Sequence, residues 1–426
     1  MKIVILDGMT VTASAHWRDY LKELTSSLGG MGIQVKHFVL KDMNIHHCRG
    51  CFGCWVKTPG ICVYPDDDGE INREVINADF VLWASPLLAG FSSSILKKAL
   101  DRTIPLVHPY FEIVNGEFHH MARYPKYPLV GLLVEPAQED GPETLPMLAH
   151  LFSRTALNFK TRLCFAETTQ MPAHELAAMI GNADSLLLEV EFEFKKMLPE
   201  SIQPPGRLIA INGSPRGEQG NTPILLQKIM DGFSSVEGNQ ASIFHLCKSG
   251  HDQACLDAMQ QADCAILGFP LYTDAMPGIV KEFIEMIGQS DPAIHTPIGF
   301  EVHSGFPEAI HSRYVEQYLM QLTSRMNCAY LGTIIHGSGE GIRSNPQKVN
   351  HRLFDQYKLL GYHLAKKGRM DMHLIRRIAG SERYPRIAVP FLKLLNDTAI
   401  RSYWDMQLKE NGAYQDRFTQ PYLAKK

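Results

Sequence analysis

The chain has no long uninterrupted apolar run. Its most apolar stretch, Phe80 to Leu96, is broken by Pro86, Gly90 and a run of three serines, whereas a membrane-spanning helix needs roughly 20 consecutive apolar residues. The apolar run near the first residue ends at Asp7, well short of the core of a secretion signal. We therefore expect a cytoplasmic protein with no membrane partner.

An excess of basic charge is also missing. The 42 lysines and arginines are outweighed by 45 aspartates and glutamates, which gives a formal net charge of −3. No cationic surface for nucleic acid is expected, so we predict no nucleic-acid partner.

Hydrophobic residues make up 45% and charged residues 20% of the 426 positions. This composition is typical of folded globular proteins, and at about 150 residues per domain the length predicts two or three domains.

The pattern of apolar residues alternates between strands and helices twice along the chain. Buried strands appear as short apolar runs, and helices as apolar residues three or four positions apart. The predicted elements are a strand at Lys2–Leu6, a helix at Trp17–Leu28 and strands at Val35–Leu40 and Phe80–Ala84, then a strand at Leu208–Ile211, a helix at Pro223–Phe233 and strands at Ala241–Leu246 and Cys264–Gly268. Such an alternation predicts α/β domains built on doubly wound parallel sheets.

The two halves share residue types at a constant spacing, which indicates an internal duplication. Four residues of the first half recur 184 positions later, namely Asp79, Pro86, Leu87 and Lys97. Gly8 pairs with Gly213 at a spacing of 205. The difference between the two spacings is about the length of the segment 48–68, which therefore reads as an insertion in the first copy.

We predict two tandem domains followed by a helical C-terminal extension. Two prolines and a glycine in Gln203–Gly206 are typical of a linker. The predicted limits are 1–202 for the first domain, 207–343 for the second and 344–426 for the extension, whose apolar residues between Leu353 and Leu364 share one helical face. The segment Leu188–Phe194 alternates apolar and acidic residues in a helix-like neighbourhood, and its state is left open.

Four loops that suit a ligand follow strands of the second half. Ligands of open parallel sheets bind beyond the carboxyl ends of the strands. The loops are 212–222, 270–278, 303–308 and 337–341. In the first loop, glycines let an anion approach the backbone and the hydroxyls of Ser214 and Thr222 add donors, which favours a phosphomonoester. The second and third loops offer backbone donors and the aromatic faces of Tyr272 and Phe306, which suit the edge of a flat heterocycle.

The loop patterns resemble those of the NADPH-dependent FMN reductase group of the flavodoxin-like fold. The patterns are G-S-P-R…G-N-T after the first strand, P-L-Y…M-P-G…K after the third and S-G-F-P-E after the fourth, all within Arg207–Gly341. The resemblance implies that FMN is bound without a covalent bond and that the flavin, rather than a side chain, takes hydride from NAD(P)H. The implied cofactor-binding residues are Ser214, Arg216, Asn221, Thr222, Pro270, Leu271, Tyr272, Thr273, Asp274, Ser304, Gly305 and Phe306.

The first half resembles the same superfamily less completely. Its loop Ser85–Gly90 has a leucine at the position of Tyr272, and its first loop, Asp7–His16, lacks the Ser-Pro-Arg and Gly-Asn-Thr elements. A carboxylate at Asp7 would also repel a phosphate. We therefore predict that this half has kept the fold and that its flavin site is degenerate.

Disulfide pairing does not explain the cysteines, because nine is an odd number and four lie close together. These four are Cys48, Cys51, Cys54 and Cys62. The x2 spacing of the first three lets one tight loop offer several thiolates to an iron–sulfur cluster, and the segment resembles the compact motif of iron–sulfur flavoproteins, which implies a [4Fe–4S] cluster. Its Phe52–Gly60 stretch also resembles flavodoxin-family proteins without an established metal, so a cluster, thiols without metal and zinc all stay open. The Asp66–Asp68 run predicts a solvated turn rather than a cation site.

These features predict a cytoplasmic, homo-oligomeric flavoenzyme that uses FMN in its second domain to reduce a small acceptor with NAD(P)H. Two alternatives stay open. In one, the cysteine segment holds a cluster and FMN exchanges electrons with a redox protein partner. In the other, the chain is a non-catalytic binding or scaffold protein whose first half pairs with a partner.

Overall fold

The computed structural model describes residues 1–114, 116–188, 193–194, 198–290 and 292–424. The chain divides into two compact units. Unit 1 comprises Met1–Glu193 and Pro385–Lys426, and unit 2 comprises Phe194–Tyr384. Within the described ranges, no helix is both long and apolar enough to span a bilayer. Most of the undecided segment Leu188–Phe194 lies outside the described residues.

Unit 1 is built on a sheet of five parallel strands in the order β2-β1-β3-β7-β8, with the short β4 antiparallel to β3. The strands β5 and β6 form a separate antiparallel pair. The elements are β1 Lys2–Asp7, α1 Ala15–Gly30, β2 Gln34–Val39, α2 Gly53–Val56, α3 Asp68–Ile76, β3 Phe80–Leu88, β4 Phe91–Ser92, α4 Ser94–Asp101, β5 Val107–Val114, β6 Glu117–Ala122, β7 Leu129–Glu135, α5 Thr144–Asn158, β8 Leu163–Thr168 and α6 Ala173–Gly181. The central strands are apolar along their length because helices cover both faces of the sheet.

Unit 2 has five parallel strands in the order β10-β9-β11-β12-β13. Its elements are β9 Arg207–Asn212, α7 Thr222–Phe233, β10 Gln240–His245, α8 His251–Met259, β11 Cys264–Pro270, α9 Gly278–Gly288, β12 Ile298–His303, α10 Ile310–Arg325, β13 Tyr330–His336, α11 Gln347–Lys367 and α12 Met372–Ala379. In both units the first strand lies between the second and the third. This doubly wound order confirms the predicted flavodoxin-like α/β fold.

The two units repeat individual backbone hydrogen bonds at the spacings seen in the sequence. Gly8 N donates to Ala84 O in unit 1 and Gly213 N donates to Gly268 O in unit 2, each over 2.8 Å. The buried lysine of each copy binds an acid four residues later, since Lys97 pairs with Asp101 and Lys281 with Glu285. The Asp79 and Asp263 carboxylates likewise each accept from the backbone N–H of the first residue of their own first strand. These shared contacts support a duplication.

The C-terminal residues divide between the two units. Tyr357, Leu360 and Leu364 of α11 are buried against α7 in the core of unit 2. The helices α13 Val389–Leu395 and α14 Arg401–Glu410, joined by a π-helix at Asn396–Ile400, belong to unit 1. There Trp404 and Leu408 pack with Cys54 and Trp55 of the cysteine segment. The apolar faces of the C-terminal helices therefore complete two different cores.

Candidate functional site

The first loop of unit 2 forms a compact turn between β9 and α7. Ser214 N donates to Oδ1 of Asn212 over 3.0 Å, and Arg216 N donates to Oγ of Ser214 over 3.3 Å. A methyl group at Gly213 would lie only 2.3 Å from Cγ2 of Val280, so the loop passes close to α9 because this residue is glycine. Ser214 is buried inside the turn.

Thr222, the first residue of α7, carries a buried hydroxyl. The residue is fully buried, and within the described part of the chain its Oγ1 has no hydrogen-bond partner. Burying an unpaired hydroxyl is unfavourable, and the first turn of a helix also presents unpaired backbone N–H groups. Two residues earlier the chain passes close to Ser214, since a methyl group at Gly220 would reach within 2.5 Å of Oγ of Ser214. These donors fit an anion such as a phosphate.

Two residues predicted to bind phosphate contact the fourth loop in this structure. Nη1 of Arg216 lies 2.8 Å from Oε1 of Glu340. Nδ2 of Asn221 donates to the carbonyl oxygen of Gly339 over 2.8 Å and to that of Glu340 over 3.1 Å. These contacts join the first loop to the fourth.

The second loop begins beside the third. Leu271 N donates to His303 O over 2.8 Å. The loop then forms a tight turn from Tyr272 to Ala275, closed by backbone hydrogen bonds in both directions. Thr273 and Asp274 adopt φ values of 46° and 59°, a left-handed conformation that is uncommon for residues other than glycine. Asp274 is buried, while Pro270, Leu271, Tyr272 and Thr273 are partly buried.

The third and fourth loops are hydrogen-bonded to each other. Gly339 N donates to Ser304 O over 2.7 Å, and Ser338 N donates to Phe306 O over 2.9 Å. Ser304 is buried, Gly305 is exposed, and the Phe306 ring is partly buried and stacks on His311 at 4.2 Å. The four loops therefore meet at the carboxyl edge of one sheet and bring the predicted residues of unit 2 together.

A group of polar residues beneath these loops was missed by the sequence reasoning. Glu301 in β12 is fully buried, and its carboxylate lies 3.1 Å from Nδ1 of His303. The buried Tyr357 of α11 donates its hydroxyl to Oε1 of Glu301 over 3.3 Å. Burial and this carboxylate raise the pKa of Tyr357 well above its ordinary value. Burial, with His303 as a second cause, lowers the pKa of His336 to about 4.

At the carboxyl edge of the sheet in unit 1, carboxylates of the protein itself accept the hydrogen bonds of nearby donors. The buried Asp7 accepts from Met9 N over 2.9 Å and from Nε1 of Trp17 over 3.0 Å. Glu135, at the end of β7, accepts from Oγ of Ser14 over 2.7 Å and lies 3.0 Å from Nδ1 of His16. The start of α1 is thus already supplied with negative charge by the protein itself.

The cysteine segment of unit 1 brings four thiols into one neighbourhood. Cys54 is buried on the short helix α2, Cys48 and Cys62 are partly buried and Cys51 is exposed. Burial raises the pKa of the Cys48 thiol to about 12, and burial followed by the electrostatic effects of Cys48, Cys62 and Cys51 raises that of Cys54 well above its ordinary value. Among the residues that the structure describes, however, no three His, Cys, Asp or Glu side chains are arranged to hold one metal ion.

Two buried arginines flank this segment. Arg102 binds both carboxylate oxygens of Asp66, over 2.7 and 2.8 Å, and donates to His46 O over 2.8 Å. Because the side chains of Asp66 and Asp68 are each only 1% exposed, the prediction of a solvated turn was wrong for both. The buried Arg123 donates to the carbonyl oxygens of Arg417 and Thr419, each over 3.1 Å, and so connects the C-terminal residues to the same region.

Comparisons with known proteins agree with this architecture. The family model "NADPH-dependent FMN reductase" matches residues 1–120 and 207–338. An iron-sulfur flavoprotein of Archaeoglobus fulgidus is 35% identical over 88 residues, which is 21% of this chain and 37% of that protein. One from Methanocaldococcus jannaschii is 33% identical over 86 residues, 20% of this chain and 44% of that protein. The chain therefore spans less than half the length of these two relatives.

Solved structures with similarity to the chain are distant in sequence. An NADH:FMN oxidoreductase in its apo form is 16% identical, and the matched region covers 36% of this chain and 88% of the oxidoreductase, with a TM-score of 0.29. An azoreductase from Bacillus anthracis is 11% identical, and the matched region covers 37% of this chain and 98% of the azoreductase, with a TM-score of 0.29. A flavone reductase is 12% identical, and the matched region covers 44% of this chain and 66% of the flavone reductase, with a TM-score of 0.31.

Proposed function

Because the chain belongs to the NADPH-dependent FMN reductase family, we propose that it is an FMN-dependent oxidoreductase that transfers electrons from NAD(P)H to a small acceptor. The observation that carries the proposal is the buried, unpaired Oγ1 of Thr222 at the start of α7, beside the glycine-lined turn around Ser214. When bound, FMN supplies the chemistry by accepting and passing on electrons.

The protein's part in this proposal is to bind and orient the cofactor. Ser214, Thr222 and the first backbone N–H groups of α7 would hold the phosphate. Arg216 and Asn221 would support the phosphate site indirectly, because their side chains hold the fourth loop against the first. Tyr272 and the third loop would border the ring. No side chain is required as an acid or base.

The same reasoning assigns the flavin to unit 2 alone. Among the residues that the structure describes, the Thr222 hydroxyl at the first helix of unit 2 has no partner, whereas in unit 1 Ser14 and Trp17 are bound to the carboxylates of Glu135 and Asp7. A phosphate in unit 1 would have to displace or lie against these carboxylates, which is electrostatically unfavourable.

A second proposal concerns electron transfer through an iron–sulfur centre at Cys48, Cys51, Cys54 and Cys62. It is supported by the similarity to iron-sulfur flavoproteins and by the nearness of Cys54 to the other three thiols. Four thiols are the donor set that such clusters use, but in the described residues they do not form a ligand set. No step is assigned to this segment. Iron and sulfide analysis of anaerobically purified protein would distinguish the two proposals.

The test of the first proposal is FMN binding to the full chain and to Thr222→Val, which removes the hydroxyl at similar volume. Loss of a hydrogen bond to a charged phosphate should weaken FMN affinity about tenfold or more. Ser14→Ala removes the hydroxyl of the residue before α1 in unit 1 and should leave affinity unchanged. Equal affinity of wild type and Thr222→Val, or a wild-type protein that binds no FMN, would refute the assignment. Oxidation of NADPH and NADH by the loaded protein then identifies the donor, and light scattering tests the proposed homo-oligomer.

A further inference from the structure

A buried carboxylate, imidazole and phenol lie in a row beneath the candidate flavin loops. Glu301 and Tyr357 are fully buried, and His303 is 5% exposed. The imidazole Nδ1 lies 3.1 and 3.3 Å from the two oxygens of Glu301, and the phenol hydroxyl of Tyr357 lies 3.3 Å from one of them. The proposed function uses the third loop, which begins at His303, but it assigns no role to these three side chains.

The burial of Glu301 requires a proton close to its carboxylate. A buried carboxylate is strongly unfavourable unless it is neutralised or paired with a cation. Among the described residues no lysine or arginine contacts Glu301, and His303 is the titratable cation beside it. The pair is therefore neutral overall when it shares one proton, and it carries one buried negative charge when that proton is lost.

His303 touches the loops that would surround the ligand. Its carbonyl oxygen accepts from Leu271 N of the second loop. Its ring supports the fourth loop, since a methyl group at Gly339 would lie 3.0 Å from Cδ2 of His303. The carbonyl oxygen of Gly339 in turn accepts from Asn221, the residue before Thr222. The His303 ring is therefore linked to the start of α7 through Gly339 and the side chain of Asn221.

We propose that Glu301 and His303 form a positioning pair whose shared proton holds the fourth loop against the start of α7, so that FMN affinity depends on the protonation of this pair. The inference rests on the proposed function. The titratable groups that face the pair are Tyr357 from α11, which contacts Glu301, and His336 from β13, whose charge is coupled to that of His303.

The surrounding groups do not titrate near neutral pH in a way that would mimic this effect. Burial, together with His303, keeps the pKa of His336 near 4, and burial keeps that of Tyr357 well above its ordinary value. Loss of the shared proton as pH rises would place a negative charge beneath a loop that contacts an anion-binding turn. FMN should therefore bind more weakly at high pH than at low pH.

The test measures FMN dissociation constants at intervals from about pH 6 to about pH 9. Wild-type affinity should fall with pH. Glu301→Gln keeps the hydrogen bond and removes the charge, so its affinity should stay near the low-pH wild-type value. His303→Asn removes the imidazole that shares the proton and the ring beside Gly339, so its affinity should lose the wild-type pH profile and be about tenfold weaker at low pH. A merely structural role would weaken both variants alike.

A matched control is His363→Asn, because His363 faces Asp371 at 3.3 Å in the same unit, outside the four loops. This variant should keep the wild-type profile. Any pH dependence common to all variants belongs to the phosphate of FMN, whose second pKa is about 6. The inference is therefore tested by the difference in the pH dependence of FMN affinity between the wild type and the two variants, Glu301→Gln and His303→Asn.

The outcomes separate the inference from the proposed function. If wild type binds FMN and both Glu301→Gln and His303→Asn share its pH profile, the inference is overturned and the function stands. If wild type binds no FMN, the proposed function is refuted, and the coupling with it. Nitrogen-15 NMR of the ligand-free protein tests the pair itself, since Glu301→Gln should lower the pH at which the His303 ring titrates, and an unchanged titration would overturn it.

Discussion

Two glycines hold the helices α7 and α11 in backbone contact, and replacing one of them should destabilise unit 2. A methyl group at Gly361 would lie 1.9 Å from the carbonyl oxygen of Ile229, and one at Gly232 would lie 1.8 Å from that of Lys358. Ordinary contacts of this kind begin at 3.4 Å. Gly361→Ala must therefore move the helices apart by roughly 1.5 Å where they cross.

The cost follows from the packing between these helices. Ile229 and Phe233 of α7 and Tyr357 and Leu360 of α11 belong to one buried cluster. A gap of about 0.5–1 Å already loses about a quarter to a half of a van der Waals contact, and overpacked cores lose about 1–3 kcal/mol. The better helix propensity of alanine returns up to about 1 kcal/mol. We expect the free energy of unfolding of unit 2 to fall by about 2 kcal/mol.

The positions of the tryptophans allow the two units to be followed separately. All four lie in unit 1, at Trp17, Trp55, Trp83 and Trp404. Tryptophan fluorescence in urea therefore reports unit 1, while far-ultraviolet circular dichroism reports both units. The control is Gly29→Ala in α1, where a methyl group meets nothing within 4 Å and should stabilise unit 1 by about 0.5–1 kcal/mol. A Gly361→Ala protein with the wild-type dichroism transition would show that the helices can absorb the methyl group.

Two further predictions concern unit 1. Burial raises the pKa of Asp68 to about 7. Between about pH 4 and pH 7 the folded state therefore keeps a proton that the unfolded chain has released. The contribution of Asp68 to the free energy of unfolding falls as pH rises through this range. Asp68→Asn should remove that slope, which urea midpoints at several pH values would reveal; an unchanged slope contradicts the assignment. Trp404 packs edge-on against Trp55 at 5.4 Å, so Trp404→Ala should cost about 3–5 kcal/mol and expose Pro385–Lys426 to limited proteolysis, whereas the exposed Met406→Ala should not. Equal cleavage of both variants would contradict this role of Trp404.

The duplicated sheet could be predicted because its evidence is local and repeated. The predicted strands at Lys2–Leu6 and Cys264–Gly268 agree with β1 and β11 within two residues at either end, since strands buried on both faces read as continuous apolar runs. The constant spacing of Lys97 and Lys281 extends to structure, because each binds an acid four positions later.

Long-range partners explain what could not be predicted. The run Asp66–Asp68 looks solvated in the sequence, yet its partner Arg102 lies more than 30 positions away and makes the buried position favourable. Tyr357 was assigned to an apolar helical face, and the sequence carried no signal that its hydroxyl meets Glu301, 56 positions earlier. Similarly, a helical pattern in the C-terminal residues does not identify the core that it completes.

The two copies differ in how the same turn is supplied with negative charge. Both keep the glycine whose N–H binds the third strand, Gly8 in unit 1 and Gly213 in unit 2. In unit 1 the Asp7 and Glu135 carboxylates accept from the donors around the start of α1, so this turn is satisfied without a ligand. In unit 2 those positions carry Asn212 and His303, neither of which bears a fixed negative charge, and the Thr222 hydroxyl stays unpaired. Removing Glu135 alone would therefore not create a second phosphate site, because Asp7 would still place a buried carboxylate beside it.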